Sequence, residues 1–175
     1  SVIDILYRLV LMGFIKKTRD IGIYEDKEFE EISTFLVTLF RVFRMLAHDL
    51  SKELGVMAKE VLNKSLRGLT EDYRKIFQGI SLDGDIVFDI NKILKNISRY
   101  YPDPSDRLVF IDSFSELINC VLQEMNRILG TPLTKQTISE IDKEREDIFN
   151  FYADSPTKRK VLEALGKTVT QFSAS

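Results

Sequence analysis

Apolar residues recur at spacings of three and four along most of the chain, and few stretches alternate with period two. That periodicity belongs to helices packed on one face. The clearest series is Phe29, Ile32, Leu36, Leu39, Phe43, Leu46 and Leu50, an a/d seam over three heptads. It predicts one long helix from about Glu25 to Leu54. Val37, Phe40 and Ala47 add a second apolar flank, and a helix apolar on two sides belongs in the centre of a bundle. Gly55 is placed to stop it. Val56 to Gln78 reads as the next helix, with Val61, Leu62, Leu66, Leu69, Tyr73 and Phe77 inward, Gly68 as a weak point and Gly79 as its end. Ser81 to Asp85 has turn composition, Ile86 to Phe88 could be briefly extended, and Asp89 resembles an N-cap for Ile90 to Tyr100.

Pro102 and Pro104 break the chain before a second long helix, from about Ser105 to Leu129. Ile111, Phe114, Ile118, Val121, Met125 and Ile128 carry its seam. Gly130-Thr131-Pro132 stops it, and Thr134 to Ala153 forms a more charged helix with Ile138, Ile141, Ile148 and Phe149/Tyr152 as its stripe. Ser155 and Pro156 open a final helix bearing Val161, Leu162 and Leu165. Ahead of all these, Val2 to Phe14 has a helical pattern that starts abruptly. The expected fold class is all-α, a multi-helix bundle of six to seven helices with two long central helices. The expected division is residues 1–17 as a terminal helix, read as the end of a truncated, winged-helix-like upstream domain, 18–170 as the bundle, and 171–175 as a frayed tail.

Composition changes this picture mainly by exclusion. The 175 residues include 25 basic and 27 acidic side chains, a balance unlike the basic excess of a nucleic-acid binder. The most apolar stretches are short and interrupted by charge, so no membrane span is expected. A single cysteine, Cys120, permits no internal disulfide and fits a reducing, cytoplasmic setting; among Ile118, Val121 and Leu122 it reads as a buried core thiol. With one histidine and one cysteine a zinc site of Cys and His ligands cannot be assembled. Phosphate-cradling glycine loops and serine nucleophile elbows are absent from the sequence. No cofactor, metal site or catalytic residue is assigned, and the chain is read as not an enzyme.

Four segments carry candidate chemistry. Gly84 in Asp83-Gly84-Asp85-Ile86 superficially fits a calcium loop, but that alignment puts Gly79 first and Ile90 twelfth, where carboxylates are needed. A plain turn is the simpler reading. His48 falls on the f position of the seam, opposite the core, with Arg44 and Lys52 four residues away on the same face. An exposed imidazole between two cations suits a phosphoacceptor, and the bland reading is a solvated surface histidine. The run Asp142, Lys143, Glu144, Arg145, Glu146 and Asp147 is most simply a solvated face with local ion pairs. Lys158-Arg159-Lys160 lies in the opening turns of a helix, where the dipole does not favour cations, and could serve as a docking contact.

The His48-Asp49-Leu50 segment resembles the histidine box of sensor kinases and, faintly, histidine phosphotransfer modules. It lacks the proline expected soon after the kinase histidine, and Ser51-Lys52 stands where the phosphotransfer module has Lys-Gly. A second resemblance covers most of the chain. Ile5-Leu6-Tyr7-Arg8-Leu9-Val10-Leu11-Met12-Gly13-Phe14-Ile15 is similar to the segment that ends the PATAN domains of bacterial signalling proteins. The order that follows is a long apolar helix, Leu50-Ser51-Lys52-Glu53-Leu54-Gly55, the Asp83-Gly84 turn and a helix ending Ile128-Leu129-Gly130. It is similar to the helical extension after PATAN. The resemblance implies a non-catalytic protein-interaction or scaffold part of a bacterial intracellular signalling regulator. The partner would be a protein, a receiver domain being one candidate and a second copy of the chain another. The alternative is a histidine phosphotransfer protein using His48 with Arg44 and Lys52 flanking it.

Overall fold

The computed structural model describes residues 27–80 and 89–173. Among them are seven α-helices and one 3-10 turn, and no strand. The helices are α1 (Lys27–Leu54), α2 (Met57–Gly68), α3 (Glu71–Ile76), α4 (Ile90–Tyr100), α5 (Val109–Leu129), α6 (Thr131–Phe151) and α7 (Pro156–Ser173), with the 3-10 turn Pro104–Asp106 before α5. The architecture is the expected all-α bundle with two long central helices. Val2 to Phe14, the Ser81–Asp85 turn with its calcium-loop reading, and Ile86 to Phe88 lie outside the described residues.

The two-sided apolar pattern of α1 is what makes it central. Ile32, Leu36, Leu39, Phe43, Leu46 and Leu50 are buried, and so are Phe35, Phe40, Val42 and Ala47 on the flanks. α1 therefore packs against α2, α4, α5, α6 and α7. α5 is the second hub, touching α1, α2, α3, α6 and α7. Its Phe110, Ile111, Phe114, Leu117, Ile118, Val121, Leu122 and Met125 are buried. Phe114 meets Phe77 edge-on at 5.0 Å between ring centroids, an arrangement favoured by the aromatic quadrupole. Burial of each such side chain stabilises the fold by about 1.5–3 kcal/mol. The α5 seam stops one turn early: Ile128, expected inward, is 37% exposed.

Three contacts set α6 against α1. Thr38 reaches Tyr152, Arg41 reaches Glu144, and Asp49 reaches Thr137. Numbers rise along α1 as they fall along α6, so the two run antiparallel. Only Gly130, at φ +82°, separates α5 from α6, so the stop at Gly130 holds while Thr131 and Pro132 already belong to the next helix. Proline is tolerated there because its missing N–H lies among the unpaired donors of a first turn.

The segment 56–78 departs from expectation. It splits into α2 and α3 at Leu69 and Thr70, both with ψ near +150°. Gly68 weakens helical propensity at the break, and the extended Leu69 is dropped into the core. α3 then begins with Glu71 and Asp72 in its first turn, where carboxylates favour the helix dipole. Its far end is closed from α4. Asn96 Nδ2 donates to the carbonyls of Ile76 (2.8 Å) and Gln78 (3.0 Å), and Lys92 Nζ donates to that of Gly79. α4 itself starts at the expected cap, Asp89 Oδ1 accepting from the Lys92 N–H at 3.1 Å. The last helix continues to Ser173 because Phe172 is buried, three residues into the tail expected to fray. None of the described helices is long and apolar enough to cross a membrane.

Candidate functional site

The face of α1 opposite its seam carries His48, exposed as its register predicts, with Arg44 and Lys52 exposed one turn to either side. Its neighbour Asp49 is committed elsewhere. The Asp49 carboxylate accepts from the buried Thr137 hydroxyl at 2.8 Å, which pins α1 to α6. His48 thus sits on a helix held in register from behind, with its own ring in solvent.

Two turns further, α1 ends where Gly55 takes φ +55°. Two backbone bonds span the corner, Gly55 N–H to Ser51 O at 2.9 Å and Ala58 N–H to Gly55 O at 3.1 Å, and Leu54 and Ala58 on either side of it pack on the core. A methyl group built on Gly55 would meet nothing within 4 Å, so the glycine answers to the dihedral and not to space. The corner leaves Val56 90% and Met57 56% exposed. Asp49 and Thr137 bring this end of α1 beside the first half of α6, so the partly exposed Ile128, just before Gly130, belongs to the same end of the bundle. Sequence reading put Val56 inside a helix and missed it. The available signal was an apolar pair immediately after a glycine stop.

Other candidates are absorbed by the fold. Lys158 is only 6% exposed, and its ammonium donates to the carbonyls of Phe149 (2.8 Å) and Tyr152 (2.7 Å), lying 5.4 Å from the centroid of the Phe149 ring. It closes the C-terminus of α6, where a cation complements the dipole. Lys160 pairs with Asp112 at 2.7 Å and Arg159 approaches Asp154 at 4.0 Å. Lys158 and Lys160 of the basic triplet, which by sequence could serve as a docking contact, are thus engaged within the chain, while Arg159 stays exposed. In the charged run Arg145 pairs with Asp142 at 2.7 Å, while Glu144 crosses to Arg41. Ile138, Ile141 and Ile148 form the buried stripe of α6, but Phe149 leaves it, 67% exposed, and Phe151 is 80% exposed.

Cys120 is half-buried, where core burial was expected; partial burial first, then Glu116 and Glu124, push its thiol pKa up. A depression of about 300 Å³ is lined by Tyr101, Ser105, Asp106, Val109, Asp112 and Lys160. Its polar groups are largely satisfied: Lys160 and Asp112 pair, Tyr101 donates to Asp72 O at 2.7 Å, and Ser105 to Asp103 at 2.8 Å. Among the described residues no three His, Cys, Asp or Glu side chains gather to hold a metal ion. No protein family matches the chain, and no curated protein or solved structure matches it either.

Proposed function

We propose that the chain is a non-catalytic protein-interaction module of a bacterial intracellular signalling regulator, and that it engages its partner through the α1–α2 corner. The observation that carries this reading is the exposure of Val56 and Met57, 90% and 56%, at a turn that closes without them. A valine held 90% in water contributes little to the fold by burial, and adjacent exposed apolar side chains of this kind mark contact surfaces. Ile128, 37% exposed, lies at the same end of the bundle. The sequence resemblance to the helical extension of PATAN proteins supplies the signalling context, with a receiver domain as the leading partner and a second copy of the chain as the other. The test is titration of the isotopically labelled chain with a panel of receiver domains, reading amide resonances. Docking at the corner moves Val56, Met57 and Ile128, and the double variant Val56→Ser/Met57→Ser loses the response.

A second reading has its own observation, the exposed His48 between Arg44 and Lys52. A receiver seated on the corner would lie within two to three helical turns of that imidazole. Incubation with phosphorylated receivers tests it: acid-labile label that disappears in His48→Gln makes the protein a phosphotransfer partner. Absence of label across the panel leaves His48 as a surface residue.

A further inference from the structure

The solvent face of α1 carries charge of one sign. Between Ile32 and Lys52 the basic side chains are Arg41, Arg44, His48 and Lys52, and the only acidic one is Asp49. Asp49 bonds to Thr137 of α6, and Arg41 has Glu144 of α6 beside it. Arg44, His48 and Lys52 are exposed and follow at steps of four. They stand in one row over about 12 Å of helix, neighbours about 6 Å apart at Cβ. Glu53, also exposed, lies about 100° round the helix from Lys52. Elsewhere the signs are mixed. Arg145 pairs with Asp142 on α6, Lys167 with Glu163 on α7, and Lys64 and Arg127 share Glu124. α4 is basic too, but its Lys92 is spent on the Gly79 carbonyl and its Arg99 lies over the Tyr100 ring. The α1 row differs in where it leads. One turn past Lys52 the chain reaches Val56, 90% exposed, and then Met57.

A basic row that runs into an exposed apolar pair complements a segment with carboxylates one turn apart and apolar residues at one end. A helix provides that spacing, because its own i, i+4 positions repeat at the interval of α1. A nucleic-acid backbone would use the charges and leave Val56 and Met57 unmatched. We propose that the row and the α1–α2 corner form one docking surface whose occupant is an acidic amphipathic helix of a partner protein. Its carboxylates lie beside Arg44, His48 and Lys52, and its apolar end covers Val56 and Met57. This inference rests on the corner being a contact surface and adds the charge and shape of what docks there.

The probe is a synthetic helical peptide with glutamates one turn apart on one face and a leucine pair at one end. Two controls are the same peptide with lysines for glutamates, and an oligothymidylate. Each is titrated into the labelled full chain and read by amide resonances. The glutamate peptide is expected to shift Arg44, His48, Lys52, Val56 and Met57 together. Its Kd should weaken several-fold as salt rises from about 0.1 M to about 1 M, where the Debye length falls from about 10 Å to about 3 Å. Arg44→Gln/Lys52→Gln should weaken it about fivefold, and Val56→Ser/Met57→Ser should weaken it as well. All four residues are exposed, so both variants keep their fold. Full affinity in Arg44→Gln/Lys52→Gln with loss in Val56→Ser/Met57→Ser would overturn this proposal and leave the corner reading standing. Loss only in the charge variant would overturn both. Equal binding of the lysine peptide or the oligothymidylate, shifts on another face, or no shift with any probe would also overturn the proposal.

Discussion

The α1–α2 and α6–α7 corners both leave large apolar side chains in water, yet they are closed by different means. At α1–α2 the chain turns on Gly55 at φ +55° and two backbone hydrogen bonds. Neither bond involves Val56 or Met57. At α6–α7 the turn is closed by a buried ammonium. Lys158 gathers the Phe149 and Tyr152 carbonyls and lies against the Phe149 ring, so part of that exposed aromatic serves the fold. The lesson is that exposure alone does not separate structural from functional residues. What separates them is whether the turn would close without them.

Substitutions can break this comparison in order of size. The largest effect lies outside both corners and sets the scale: Phe114→Ala, which empties a fully buried site against Phe77, should cost about 3–5 kcal/mol in urea unfolding. Lys158→Met keeps the side-chain length but strands two carbonyls, and should cost about 2–4 kcal/mol by the same measurement. A loss near zero there would show that the α6–α7 corner closes as passively as the other. Gly55→Ala forces a side chain into the left-handed region at a position with open space around it, for about 1 kcal/mol. Val56→Ser/Met57→Ser should change stability by less than about 0.5 kcal/mol, since the corner does not need them.

The smallest effect is electrostatic. Hydrogen bonds from Lys64 and then Arg127 hold the Glu124 carboxyl below its usual pKa. A carboxyl depressed in the folded state stabilises it above the unfolded pKa, and that contribution fades as pH falls through the folded value. Lys64→Met should therefore lower stability slightly at neutral pH and flatten its decline between about pH 5 and pH 3. At a solvent-facing pair the effect amounts to a few tenths of a kcal/mol.

Much of the fold could be read from periodicity because α1 and α5 are buried on wide arcs, and a wide arc writes a dense 3, 4 spacing into the sequence. The caps at Asp89 and Ser155 were legible because each has one chemical task, accepting an N–H three residues on. The break at Leu69 was not, since Leu69 and Phe77 satisfy the helical pattern whether or not the helix is continuous, and only the core decides. Lys158 was misread for a related reason. A lysine in a helix's first turn looks unfavourable to its own helix, and its role lies with the carbonyls of the previous one. His48 was legible as exposed from the seam register, whereas the α1–α2 corner depends on the position where α2 resumes after Gly55.

The central claim is that the α1–α2 corner is the docking surface. The most direct measurement is amide chemical-shift mapping of the labelled chain, alone over a concentration series and then against the receiver panel. The account predicts that one receiver, or self-association, shifts Val56, Met57 and Ile128 together and that Val56→Ser/Met57→Ser abolishes the shift while the rest of the spectrum stays folded. Binding mapped to another face, or a corner unmoved by every receiver and by concentration, would contradict it.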